Sequence, residues 1–174
     1  MSNTNIVKAT MKFKDGNVIN LDLYPDLAPI SVANFVKLAK AGFYDGLCFH
    51  RVIDGFMIQG GGFVFDENRG LIQKHSDTIK GEFRSNGIDN PIKHVPGVIS
   101  MARTMVKDSA SSQFFICVAA APHLDGEYAA FGKCSDEQSI KTAVAYGKAK
   151  TGRWQSFSDV PFNPIVIESV TIQD

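Results

Sequence analysis

The chain has 174 residues, 44% hydrophobic and 21% charged, the balance of an ordinary globular protein with enough chain for one substantial core. Eighteen Lys and Arg offset eighteen Asp and Glu, so no net charge draws the molecule to nucleic acid or an anionic membrane. Residues 1–5 are polar with no apolar segment behind them, and no apolar run is long enough to span a bilayer; neither a secretory signal nor a membrane span is expected, and the cytoplasm is the default location.

Val7, Ala9, Met11 and Phe13 alternate with polar residues. Asp15-Gly16 follows as a turn, and Ile19, Leu21 and Leu23 alternate again, which reads as a β-hairpin. Pro29 then opens a helix with an apolar stripe of Val32, Phe35, Val36 and Ala39, and Gly42 stops it. From Phe49 to Phe131, short apolar runs such as 97–101 and 114–118 are divided by polar and glycine-rich stretches. These are expected to be strands joined by long loops. A second helix fits residues 136–146, with Ile140, Ala143 and Val144 on one face and Ser135 or Asp136 as cap. Residues 148–163 are polar, hold the only Trp, Trp154, and read as a surface excursion. Residues 165–172 read as a last strand.

Strands and helices do not alternate regularly, which argues against a parallel α/β sheet. The expected fold is mainly β: a closed antiparallel β-barrel of about eight strands capped by two α-helices, in a single domain over 1–174. Cys48, Cys117 and Cys134 are odd in number and lack zinc spacing; they read as small core residues in a reducing compartment.

The common catalytic arrangements are missing. Gly60-Gly61-Gly62 matches neither a phosphate-binding loop nor a dinucleotide fingerprint, and no Gly-x-Ser-x-Gly elbow occurs. His50, His75, His94 and His123 lie far apart without paired ligand spacing, so no metal or other cofactor is expected. One stretch stands out. Arg51 sits among Phe49, Val52, Ile53, Phe56 and Met57, with Gln59 eight positions on. If this is a strand, His50 faces one side and Phe49, Arg51 and Ile53 the other. An arginine on an apolar face needs a partner or a task. Composition leaves both open: a carboxylate partner that locks a loop, or work in a site. The three glycines would let another backbone approach closely or relieve crowding.

At this point the chain resembles the cyclophilins. Residues 49–61 resemble the family's Phe-His-Arg-Val-Ile-x-Gly-Phe-Met-x-Gln-Gly-Gly signature. Gly97-Val98-Ile99-Ser100-Met101-Ala102, Ser112-Gln113-Phe114-Phe115-Ile116, Leu124-Asp125-Gly126, Phe131-Gly132-Lys133 and, in the first helix, Ala33-Asn34-Phe35 match further segments in order. The resemblance implies a cyclophilin-like barrel with its site in an external groove. It implies peptidyl-prolyl cis–trans isomerisation, with proline-containing peptides and unfolded or folding proteins as partners and a monomeric state. Arg51 would be the catalytic arginine, with Phe56 and Gln59 in the same catalytic set. Phe56, Met57, Phe115 and Leu124 would line the proline pocket, and Gln59, Ala102, Arg103, Gln113, His123 and Tyr128 would flank the peptide. Three positions depart from the best-known eukaryotic members: His123 replaces Trp, Tyr128 replaces His and Arg103 replaces Asn. This looks like a bacterial-type branch. The missing Trp implies weak cyclosporin binding, while the main chain at Arg103 still serves the peptide. The rival readings are a peptide-binding module without catalysis and a hollow barrel that carries apolar ligands.

Overall fold

The structure is a computed structural model that describes residues 5–173. In chain order it contains β1 (Val7–Phe13), β2 (Val18–Leu23), α1 (Pro29–Lys40), β3 (Arg51–Ile53), β4 (Met57–Gly60), β5 (Phe63–Asp66), β6 (Gly70–Gln73), β7 (Val98–Met101), β8 (Phe114–Cys117), β9 (Ala130–Cys134), α2 (Glu137–Gly147), β10 (Thr151–Trp154), β11 (Phe157–Pro161) and β12 (Ile167–Ile172). Eight strands form one sheet in the order β12-β1-β2-β9-β7-β8-β4-β3, with every described pairing antiparallel. Its edges meet through the chain leading into β3. Gly46 N–H donates to Ile167 O (2.8 Å), Ile167 N–H to Leu47 O (2.8 Å) and Phe49 N–H to Ile165 O (2.9 Å). Closure is thus irregular backbone rather than a continuous ladder.

The period-two pattern of the first hairpin sends Met11, Phe13, Ile19, Leu21 and Leu23 inward. Val52, Ile58, Ile99, Met101, Phe114, Ile116 and Phe131 join them in one cluster. From α1, Phe35 packs on Tyr44, Phe114 and Phe131 with ring centroids 5.2, 5.7 and 5.4 Å away. From α2, Ala143 is buried, with Ile140 and Val144 packed against the cluster. The interior is therefore filled, the opposite of what a carrier of apolar ligands requires. All three cysteines are buried, and burial pushes each thiol up to about 12.

The helix ends follow different logics. Asp136 caps α2, accepting from Ser139 N–H at 2.7 Å, one of the two caps the sequence offered. Ala28, before α1, has no capping side chain. Glu82 supplies the cap from a distant loop: its buried carboxylate accepts from Ile30 N–H (3.0 Å), Ser31 N–H (2.7 Å) and the Ser31 hydroxyl (2.8 Å).

Residues 148–163 are not a plain excursion. They carry the β10–β11 hairpin, and β5–β6 form another; Phe63, Phe65, Leu71, Phe157 and Val160 make a second cluster with Cys48 and Val166 outside the barrel core. Trp154 meets Phe65 at 5.6 Å. The turn escaped reading because Gln155, not Gly or Asn, takes the positive φ of 54°. Phe49 also departs from expectation. It lies in the core, 1% exposed, because strand pairing begins only at Arg51 and the alternation does not extend back to it. His50 is buried with its ring 4.4 Å from Phe63, and its Nδ1 has no hydrogen-bond partner among the described residues.

Replacing Glu82 by Ala should lower the unfolding free energy by about 2–3 kcal/mol in urea titrations, since two helix N–H groups and a hydroxyl lose a charged acceptor. A change below 0.5 kcal/mol would show the cap to be idle. His50 gives an acid response. Burial, helped by neighbouring Arg51, pushes its pKa down to about 4 from the ordinary 6.5. The unfolded chain therefore takes up this proton first. The stabilisation is complete above pH 6.5 and is lost as pH falls towards 4, a loss of roughly 3 kcal/mol. His50→Gln should make stability fall less steeply in that window; the same slope in both proteins would show that another group titrates.

Candidate active site

The groove lies on the reverse of the core. Register aligns Arg51 on β3 with Gln59 on β4, Gln59 with Phe115 on β8, and Phe115 with Ser100 on β7. Successive side chains on a strand point to opposite faces. Val52, Ile58, Phe114 and Ile116 therefore enter the barrel core, while Met57, Phe115 and Cys117 join Leu124, Ala121 and the half-buried Ile53, Phe56, Ala102 and Tyr128 in a separate apolar cluster.

This cluster opens into a cavity of about 170 Å³. Arg51, Phe56, Met57, Gln59, Ala102, Arg103, Phe115, Leu124 and Tyr128 all line it. Phe56 and Met57 are neighbours in sequence, yet both reach the pocket because Phe56 lies in the turn before β4. Gln113 lines an adjoining cavity of about 290 Å³, which shares Gln59, Ala102 and Arg103 with the first. His123 is exposed at the rim, its ring 5.7 Å from Phe56.

Arg51 is exposed at the mouth. Its Nη1 donates to Gln59 Oε1 at 3.2 Å, and Gln59 Nε2 donates to Gln113 Oε1 at 3.0 Å. Among the described residues no carboxylate pairs with it, so the loop-locking ion pair is not what holds this arginine. The glycines permit the arrangement. Gly61 has φ of +87°, and a Cβ on Gly62 would lie 2.4 Å from Gln113 Cγ. At Gly60 and Gly61 the close approach includes backbone, since a Cβ would lie 2.9 Å from Cys48 O and 2.9 Å from Ser112 O; at Gly62 it is the Gln113 side chain.

One residue of the site had no sequence signal. His94 is buried behind the pocket and stacks on Phe115, with centroids 5.9 Å apart and planes at 19°. Its Nδ1 is 2.9 Å from Asp125 Oδ1 and its Nε2 is 3.0 Å from Ser100 Oγ. Burial holds its pKa below the ordinary imidazole value, against the opposing pull of Asp125. Neutral His94 with both nitrogens engaged is a fixed backing for the pocket floor. Its partners Ser100 and Asp125 fall within recognised segments, but nothing in the sequence around His94 marks it.

The family described as cyclophilin type peptidyl-prolyl cis-trans isomerase/CLD matches residues 8–172. Peptidyl-prolyl cis-trans isomerase A of Dickeya dadantii (strain 3937) is 44% identical over 160 residues, 88% of this chain and 78% of that protein. Peptidyl-prolyl cis-trans isomerase B of Escherichia coli (strain K12) is 37% identical over 174 residues, covering 95% of this chain and 99% of that one. Among solved structures, a Cryptosporidium parvum cyclophilin type peptidyl-prolyl cis-trans isomerase, crystallised in the presence of the dipeptide Ala-Pro, superimposes with a TM-score of 0.72 at 26% identity, covering 96% of this chain and 99% of that one.

Proposed function

The chain belongs to the cyclophilin-type peptidyl-prolyl cis–trans isomerases, and from that premise we propose that Arg51 drives isomerisation by donating a hydrogen bond to the prolyl nitrogen in the twisted transition state. The observation that carries this reading is an arginine at the mouth of an apolar pocket, steered by the amide of Gln59.

Rotation about a peptide bond meets a barrier of ~18–20 kcal/mol because the nitrogen lone pair is delocalised into the carbonyl. Twisting frees that lone pair to accept a hydrogen bond. A donor aimed at the nitrogen therefore binds the transition state better than either planar form. Arginine suits the task, being permanently charged with its donors in a rigid fork. Gln59 occupies one Nη1 donor and leaves the others unspent among the described residues. Gln113 holds Gln59 in turn, and both are uncharged, so the guanidinium keeps its full charge for the substrate.

The pocket does the remainder. Phe56, Met57, Phe115 and Leu124 take the proline ring and exclude water from the bond, favouring the less polar twisted amide. Ala102, the Arg103 main chain, Gln113, His123 and Tyr128 flank the peptide. Magnitudes require this division: a ~10⁵-fold acceleration needs about 7 kcal/mol, while one charged hydrogen bond contributes about 1.5–3 kcal/mol. The Ala-Pro dipeptide named for the Cryptosporidium relative supports X–Pro peptides as substrates here. The same reading takes residues 1–174 as one monomeric domain acting on unfolded or folding proteins in the cytoplasm. The barrel that joins β12 to β1 supports the single domain, and three unpaired, buried cysteines fit a reducing compartment.

Arg51→Ala should slow cis–trans exchange of an X–Pro peptide roughly tenfold to a hundredfold and leave peptide affinity nearly unchanged. The wild-type rate should stay flat between mildly acidic and mildly basic pH, since no group changes protonation. Equal exchange rates in mutant and wild type would reject Arg51 as the catalytic donor. At the rim, the His123 ring lies tilted against Phe56 where the tight cyclosporin binders carry an indole donor. An inhibition titration should accordingly show weak cyclosporin binding, and potent inhibition would contradict that assignment.

A further inference from the structure

Arg103 lines the pocket, yet its guanidinium is already engaged. Nε and Nη2 donate to Glu127 O at 3.2 and 2.6 Å, and Nη1 donates to Thr104 O at 2.9 Å. The same group lies 4.7 Å from the ring centroids of both Phe83 and Tyr128. Phe83 is 1% exposed and belongs to the barrel core, so it is a fixed anchor. Tyr128 is half-buried and meets Phe115 edge-on, with centroids 5.7 Å apart and planes at 84°. A continuous set of contacts thus runs from the core ring of Phe83 through Arg103 and Tyr128 to Phe115 on the pocket floor.

We propose that the Arg103 side chain is a positioning residue that holds Tyr128 against Phe115 and thereby sets the width of the proline pocket. This deepens the pocket reading above and rests on it. The side chain itself does not grip the peptide, because its donors on three nitrogens are directed at carbonyls of the protein. Arginine is needed for two geometric reasons. A planar guanidinium lies flat against aromatic rings, and its fork reaches two separate carbonyls at once. The ammonium of lysine is a point charge that does neither together. Loss of the brace frees Tyr128 and loosens the wall. A looser wall weakens binding of planar and twisted prolines alike, so the effect falls on KM rather than kcat.

The test is a double-mutant cycle on X–Pro peptide exchange with the full chain: Arg103→Lys, Arg103→Ala, Tyr128→Ala and the two combinations. Each Arg103 substitution should raise KM about three- to tenfold with kcat within about twofold. On the Tyr128→Ala background the same substitutions should change KM less than about twofold, because the residue they act through is gone. Should Arg103→Ala fail to fold, the Arg103→Lys arm completes the cycle. An unchanged KM in the folded Arg103 variants, or losses that multiply in the double variants, overturns the proposal. Failure of the underlying reading has a different signature: no exchange by the wild type, or full exchange by Arg51→Ala.

Discussion

The groove depends on one constraint, the two-residue period of β8. Phe114 and Phe115 are adjacent, yet Phe114 lies among Phe35, Tyr44 and Phe49 inside the barrel while Phe115 forms the pocket floor outside. Each anchors the other. Burial of Phe114 fixes the strand, and the strand leaves Phe115 no choice of face. The same alternation on β4 sends Ile58 inward between Met57 and Gln59, and on β3 sends Val52 inward between Arg51 and Ile53. The site is thus a by-product of packing the core correctly. A one-residue slip in any of these strands would exchange the two faces and remove pocket and core together.

Beside that floor, the side chains that hold Arg51 are neutral. A carboxylate beside Arg51 would hold it more tightly but would also satisfy its charge. The chain of amides Gln59 and Gln113 orients the guanidinium without neutralising it. The three-glycine turn serves this chain, since any side chain on Gly62 would displace Gln113. The bulk composition could not separate a structural from a catalytic arginine because both occur on apolar faces. In the structure the partner of Arg51 is an amide and not a carboxylate.

Much of the fold was legible because it is written locally. The first hairpin, both helices and the inward runs around 98–101 and 114–117 carry their periodicity in adjacent residues. What escaped depends on contacts between distant segments. Glu82 caps a helix about fifty residues earlier, so no capping motif appears before Pro29. Phe49 follows the barrel closure rather than the strand beside it, and a strand of three residues is too short to declare its own start. The β10–β11 hairpin packs only one apolar layer on β5–β6 and turns at a glutamine. The resemblance named nine residues that line one cavity, but not the carbonyl contacts of the Arg103 side chain nor that His94 stands behind Phe115.

Those two residues give the pocket its mechanical character. Phe115 is held face-on by His94 and edge-on by Tyr128. His94 is tied to Asp125 and Ser100, and Tyr128 is tied through Arg103 to the core ring of Phe83. An isomerase that breaks no bond has little beyond geometry to work with. It must hold a proline ring still while the preceding carbonyl rotates. Rigid support on two sides keeps the ring seated alike in the planar and twisted forms, so that the nitrogen stays in place while the carbonyl turns. In the mechanism proposed above, Arg51 adds a donor at the one place where the rotation creates an acceptor. The donor has value only because the walls keep the nitrogen in its reach.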